Sequence, residues 1–170
     1  ELLTTAGAAA LAGCAAEQTD CGPGGGPVQR FDWKLVTTWP PNFPGLGTGV
    51  LRMAEMIRQA SGGRLNIKVY AAGELVPAFE VLDAVSRGVA EMGHGGAYYW
   101  KGVIPASPFF SCVPFGLTGA EMNGWFYHGG GMQLYHEAYA EQGVIPYPIG
   151  NSGTQMGGWF NKEINSVADL

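Results

Sequence analysis

From Trp33 onward the apolar positions switch between two periods. Residues 33–38 (WKLVTT) read as a strand, and Pro40 and Pro41 end it because proline cannot donate to a ladder. Over residues 47–60, Val50, Ala54 and Ile57 fall on one helical face beside Leu51 and Met53, while Glu55 and Arg58 fall outside it. Gly62 and Gly63 stop that helix. Residues 65–70 alternate, with Leu65, Ile67 and Val69 inward and Asn66, Lys68 and Tyr70 outward. Pro77 opens a helix that runs to Arg87, carries Ala78, Val81, Leu82 and Val85 at helical spacing, and meets Gly88. Residues 90–93 (AEMG) read as a short buried strand.

The order β-α-β-α-β predicts an α/β lobe with a mostly parallel sheet, flanked by helices on right-handed crossovers. Two further helices are expected at 119–128 and 131–141, then a strand at 144–149 and an extended segment at 156–160. Residues 105–116 are apolar but hold Pro105, Pro108 and Pro114, so they read as ordered coil. Ser166 with Asp169 three residues on is a capping-box start. The helix it announces needs more turns than remain before Leu170, so the chain is expected to be the first part of a longer one.

The chain's opening follows other rules. Residues 2–12 are apolar or small apart from Thr4 and Thr5, and they lead into Leu11-Ala12-Gly13-Cys14. This resembles the lipobox of bacterial lipoprotein signal peptides, which implies cleavage before Cys14 and lipidation of that residue. Residues 17–27 hold Gly22, Pro23, Gly24, Gly25, Gly26 and Pro27 without apolar periodicity, and read as a flexible leash. The expected organisation is a signal-peptide remnant at 1–14, a leash at 15–30 and a folded body at 31–170. No run beyond Ala12 has the ~20 apolar residues of a membrane helix. The expected location is therefore periplasmic, with a lipid anchor to the membrane.

Charge narrows the partners. Nine Lys and Arg against 14 Asp and Glu leave a formal charge of -5, with the basic residues scattered, which argues against nucleic acid. The three cysteines make no disulfide framework. Cys14 belongs to the lipobox, Cys21 lies in the leash, and Cys112 is expected to be buried and free.

In open α/β sheets, ligands bind beyond the carboxyl ends of the strands. That rule selects Trp39 and Asn42, then Gly73 and Glu74, then His94, Tyr98, Tyr99 and Trp100, then Asn151, Ser152, Thr154 and Gln155. Aromatic and amide groups with one carboxylate suit a small polar ligand. Catalytic constellations do not form. His136-Glu137 lacks the second His of a zinc-protease motif, since position 140 is Ala. No G-x-S-x-G elbow occurs, and Glu74 has no second carboxylate near it in sequence. His128 and His136 read as helix-surface residues.

Several segments resemble one family: Trp33-Lys34-Leu35-Val36-Thr37-Thr38-Trp39-Pro40, Ala72-Gly73-Glu74-Leu75-Val76-Pro77, Tyr99-Trp100, Val113-Pro114-Phe115-Gly116, and the block from Gly150 to Phe160 (GNSGTQMGGWF). They are similar to the DctP-like extracytoplasmic substrate-binding subunits of TRAP (tripartite ATP-independent periplasmic) transporters, nearest the 2-oxoacid and lactate-binding branch. The resemblance implies a periplasmic-binding-protein-like lobe of a two-lobed, hinged receptor that closes on a small carboxylate such as a pyruvate-like 2-oxoacid or lactate. It implies a bridging Na+ or Ca2+, with Gln155 as a shared ligand of metal and substrate and Tyr99 lining the pocket. Tyr98, Asn151, Trp39 and Glu74 are the further ligand-binding positions. The Arg that grips the carboxylate, and the Glu and Trp that complete the metal site, are expected beyond Leu170 in a second lobe. The implied partners are the TRAP membrane subunits and, through C-terminal helices, a second copy in a homodimer. The competing readings are a periplasmic α/β enzyme acting on small acids and a sensor or scaffold lobe that binds a protein.

Overall fold

The computed structural model describes residues 28–155 and 157–170. Cys14, Cys21 and most of the expected leash lie outside these. Three parallel strands form the sheet in the order β2-β1-β3: β1 Phe31–Thr37, β2 Leu65–Tyr70 and β3 Met92–His94. The first helix, α1 Leu46–Ala60, crosses from β1 to β2, and a second, α2 Val81–Ser86, precedes β3. A helical pair follows, α3 Gly119–His128 and α4 Gly131–Tyr139.

The central strand carries the consecutive apolar residues. Leu35 and Val36 are each 1% exposed, and because side chains alternate along a strand they fill opposite faces. Val36 packs with Val81, Ala84 and Ala90 under α2. A second cluster joins Phe110, Phe126, Tyr135 and Tyr139 around the helical pair. Trp100 packs against both clusters and so joins sheet to helices.

Local chemistry sets the element ends. Thr48 Oγ1 accepts the Gly45 N–H at 3.1 Å at the start of α1. Gly62 and Gly63 take φ of 60° and 76° at its end, where the Gly63 N–H reaches the Arg58 carbonyl at 2.8 Å. Thr118 and Glu121 cap α3 reciprocally: Glu121 Oε2 accepts the Thr118 N–H at 2.8 Å and Thr118 Oγ1 accepts the Glu121 N–H at 3.4 Å. At the far end, Asp169 Oδ2 accepts the Ser166 N–H at 2.8 Å over a single 3₁₀ turn, Val167–Asp169.

Four expectations need correction. The third strand starts at Met92, not Ala90, because the Glu91 carboxylate takes the Lys34 N–H at 2.7 Å where the ladder would otherwise begin. The helix after Pro77 opens as a 3₁₀ turn, Ala78–Glu80, before α2 begins. No strand forms at 144–149 among the described residues, although Ile145, Tyr147 and Ile149 alternate outward at 71%, 64% and 50% exposure. Pro146 and Pro148 have no N–H to give a ladder, and the segment is held instead by His136 Nε2, 3.2 Å from the Pro146 carbonyl oxygen. Cys112 is free and exposed rather than buried, because the proline-rich stretch around it turns Phe109, Val113 and Phe115 to solvent as well.

The reciprocal cap gives a stability test. Thr118→Ala should cost about 1 kcal/mol in urea unfolding, while Thr118→Ser, which keeps the hydroxyl, should stay within about 0.5 kcal/mol of the parent.

Candidate functional site

The carboxyl ends of the three strands are tied together by backbone. The Thr38 N–H reaches the His94 carbonyl at 2.9 Å, and the Ala72 N–H reaches the Trp39 carbonyl at 2.8 Å. The residues that leave these ends therefore converge, as the sheet rule requires.

They converge as an aromatic wall. Trp39 stacks on Phe43 with centroids 5.6 Å apart, lies tilted against Tyr99 at 5.9 Å, and donates its indole N–H to His94 Nδ1 at 3.1 Å. Tyr99 meets Phe79 edge-on at 5.2 Å, Tyr98 at 4.5 Å and Trp100 at 6.4 Å. Close packing of this kind demands missing side chains nearby. A Cβ on Gly95 would lie 2.6 Å from Thr38 Cγ2 and 3.0 Å from the Trp100 ring.

The wall is uncharged at neutral pH. Burial pushes His94 down to about 4 and Tyr99 up to about 12. It offers flat apolar surface and a few neutral polar atoms, with no charge to balance an anion. A bound carboxylate would need its counter-charge from another element or from a cation.

Of the sequence-selected residues, Trp39, His94, Tyr98, Tyr99 and Trp100 come together. Glu74 stays in its own exposed turn, where Oε2 accepts the Ala71 N–H at 2.8 Å beside Gly73 at φ 82°. Asn151 and Gln155 lie on a separate exposed loop. Asn151 Oδ1 accepts the Gly153 N–H at 2.7 Å, and its side chain abuts Gly119 at the start of α3. Gln155 Nε2 donates to Ser152 Oγ at 2.8 Å, and the amide oxygen Oε1 has no partner among the described residues. That oxygen suits a hard cation as one ligand. Among the described residues no cluster of three or more His, Cys, Asp or Glu stands ready to supply the rest.

Phe43 and Phe79 belong to the wall and were not selected from sequence. Phe43 follows Trp39 in the same loop and Phe79 sits just after Pro77, so both lie where the sheet rule points. An apolar groove of about 700 Å³ opens elsewhere, between Phe109, Leu117, Met122 and Trp125. Its lining holds one carboxylate, Glu137, and so lacks the convergent polar groups that orient a small anion. No described helix is long and apolar enough to cross a membrane.

Comparison with known proteins is consistent with this arrangement. The family model for bacterial extracellular solute-binding proteins, family 7 (DctP), matches residues 35–170. The chain is 42% identical over 174 residues to the monocarboxylate 2-oxoacid-binding periplasmic protein of Nostoc sp. (strain PCC 7120), covering 100% of this chain and 47% of that protein. A TRAP periplasmic solute-binding protein from Pseudoalteromonas atlantica T6c, solved with sodium and pyruvate, aligns with TM-score 0.80 at 46% identity over 84% of this chain and 43% of its own. Another from Colwellia psychrerythraea, solved with calcium and pyruvate, aligns with TM-score 0.79 at 45% identity over 83% of this chain and 43% of its own. A third from Bordetella bronchiseptica RB50, a mixed-occupancy dimer with calcium and picolinate, aligns with TM-score 0.79 at 34% identity over 84% of this chain and 42% of its own. The chain thus spans less than half the length of these relatives.

The low His94 pKa has a stability signature. Because the folded-state value lies below the ordinary one, the folded form binds fewer protons. The associated stability is present above about pH 6.5 and is lost as pH falls through about 4. The parent protein should lose on the order of 2 kcal/mol more than His94→Leu between pH 7.5 and pH 4, measured by urea unfolding at each pH. Equal losses would show that His94 titrates normally.

Proposed function

This chain belongs to the DctP family of bacterial extracellular solute-binding proteins, family 7, and from that premise we propose that it is the aromatic-walled lobe of a TRAP transporter receptor for a small 2-oxoacid. One observation carries the reading: relatives at 42% and 46% identity are described with a monocarboxylate 2-oxoacid or with pyruvate. The aromatic wall supports it chemically. A flat, neutral, water-excluding surface holds a three-carbon acid by packing and orients it, while leaving its negative charge to be met elsewhere.

In this reading Tyr99, Tyr98 and Trp39 form one side of the solute site, and Asn151, Gln155 and Glu74, which stand apart from that wall here, complete it when the intact receptor closes. Gln155 is the residue of this chain that holds the cation, sodium or calcium, through its amide oxygen. The cation supplies positive charge beside the solute's oxygens. An arginine from the second lobe supplies the rest as a bidentate partner of the carboxylate. Closure follows from the solute's contacts with both lobes, which favour the closed state by their differential free energy. Nothing in this scheme breaks a covalent bond, so the protein delivers its ligand unchanged to the TRAP membrane subunits.

The same reading covers the ends of the chain. Residues 1–14 are a lipoprotein signal ending at Cys14, residues 15–30 are the leash, and residues 31–170 are the first lobe with the start of the second. The receptor is periplasmic and moored by lipid at Cys14. One similar structure is a dimer, which supports pairing of intact receptors.

Calorimetry of the intact protein with pyruvate, with sodium or calcium present, should show saturable binding and no product. Turnover of the acid would contradict the receptor reading. Gln155→Ala should weaken pyruvate and cation together by more than threefold, about 0.7 kcal/mol. A variant that keeps both affinities within that limit removes Gln155 from the site.

A further inference from the structure

His94 stands in the aromatic wall without a role in the scheme above. It ends β3, and its Nδ1 accepts the Trp39 indole N–H at 3.1 Å. A ring nitrogen that accepts carries no proton, so the neutral imidazole must be protonated at Nε2. Burial keeps the ring neutral through the ordinary pH range. Nε2 has no partner among the described residues. Nor is it one of the sealed unpaired atoms among the described residues, which are Thr38 Oγ1, Trp100 Nε1, Ser107 Oγ and Tyr139 OH. The ring therefore keeps one N–H donor uncommitted to any described residue.

The residue is also held in place. A Cβ on Gly93 would lie 2.8 Å from Val81 Cγ1, and one on Gly95 would lie 2.6 Å from Thr38 Cγ2, so the backbone on both sides is packed tightly. The His94 carbonyl is engaged by the Thr38 N–H at 2.9 Å. Such fixation makes the direction of the donor reproducible, which is what a binding group requires.

We propose that His94 is a solute-binding residue, fixed by Trp39 in its Nε2-protonated tautomer so that this N–H donates to an oxygen of the bound 2-oxoacid. This rests on the receptor reading and deepens it. Both the carboxylate and the keto group of such an acid present acceptors only, so a neutral donor matches either.

The test combines imidazole nitrogen NMR with calorimetry on the intact protein, using pyruvate with calcium as the probe. The expected spectrum has a protonated Nε2 whose signal moves on saturation with pyruvate. His94→Leu should lose at least tenfold in affinity. His94→Gln has an oxygen for Trp39 and an N–H for the solute, and should stay within threefold, as should the exposed control His128→Gln. A ring protonated at Nδ1, or a His94→Leu variant within threefold of the parent, overturns the proposal. If His94→Leu does not fold, the Nε2 signal decides, and an unmoved Nε2 at saturating pyruvate overturns it. Parent protein that binds no 2-oxoacid overturns the receptor reading and this inference together. Binding that leaves Nε2 unmoved overturns the inference alone.

Discussion

A strand with neighbours on both edges and apolar layers on both faces has nowhere to put polar chemistry except its ends. That is the situation of β1. Leu35 and Val36 commit its two faces to two apolar layers, and β2 and β3 take its backbone donors and acceptors. Because all three strands run parallel, their carboxyl ends emerge together. The loops that follow are forced to share one edge of the sheet. Trp39, His94 and Tyr99 meet there although Trp39 and His94 are 55 residues apart in sequence.

The character of that edge follows from how it is packed. Rings fill the space, so the ionisable groups among them are pushed toward their neutral forms. An apolar wall gives a small acid shape and dryness but no counter-charge. The division of labour proposed for the intact receptor follows from this. In that proposal one lobe positions and desolvates, while a cation and the second lobe neutralise. The exposed amide loop at Asn151 and Gln155 lies apart from the wall, next to α3, where it is free to meet another element.

Much of the frame was legible because its signals are local. The glycine pair after α1, the Thr118–Glu121 cap and the consecutive apolar residues of β1 each act within a few positions. The failures share a cause as well. Ile145, Tyr147 and Ile149 mimic a strand, but a strand also needs a neighbour and N–H donors, and Pro146 and Pro148 withhold the donors. Cys112 was expected inside because its stretch is apolar, yet the prolines turn that stretch outward. Glu74 looked available until its turn claimed one carboxylate oxygen. At the site, the rule about strand ends found Trp39, His94, Tyr98, Tyr99 and Trp100. It offered no way to see that Trp39 would bond to His94, because long-range side-chain pairing leaves no periodic trace.

The proposed receptor places a small 2-oxoacid against the aromatic edge of this sheet. A crystal structure of the intact protein grown with pyruvate and calcium tests it most directly. Pyruvate is expected packed on the Trp39 and Tyr99 rings, with the cation on Gln155 Oε1. Pyruvate bound elsewhere, for example in the apolar groove beside Trp125, with the aromatic wall left empty, would contradict it.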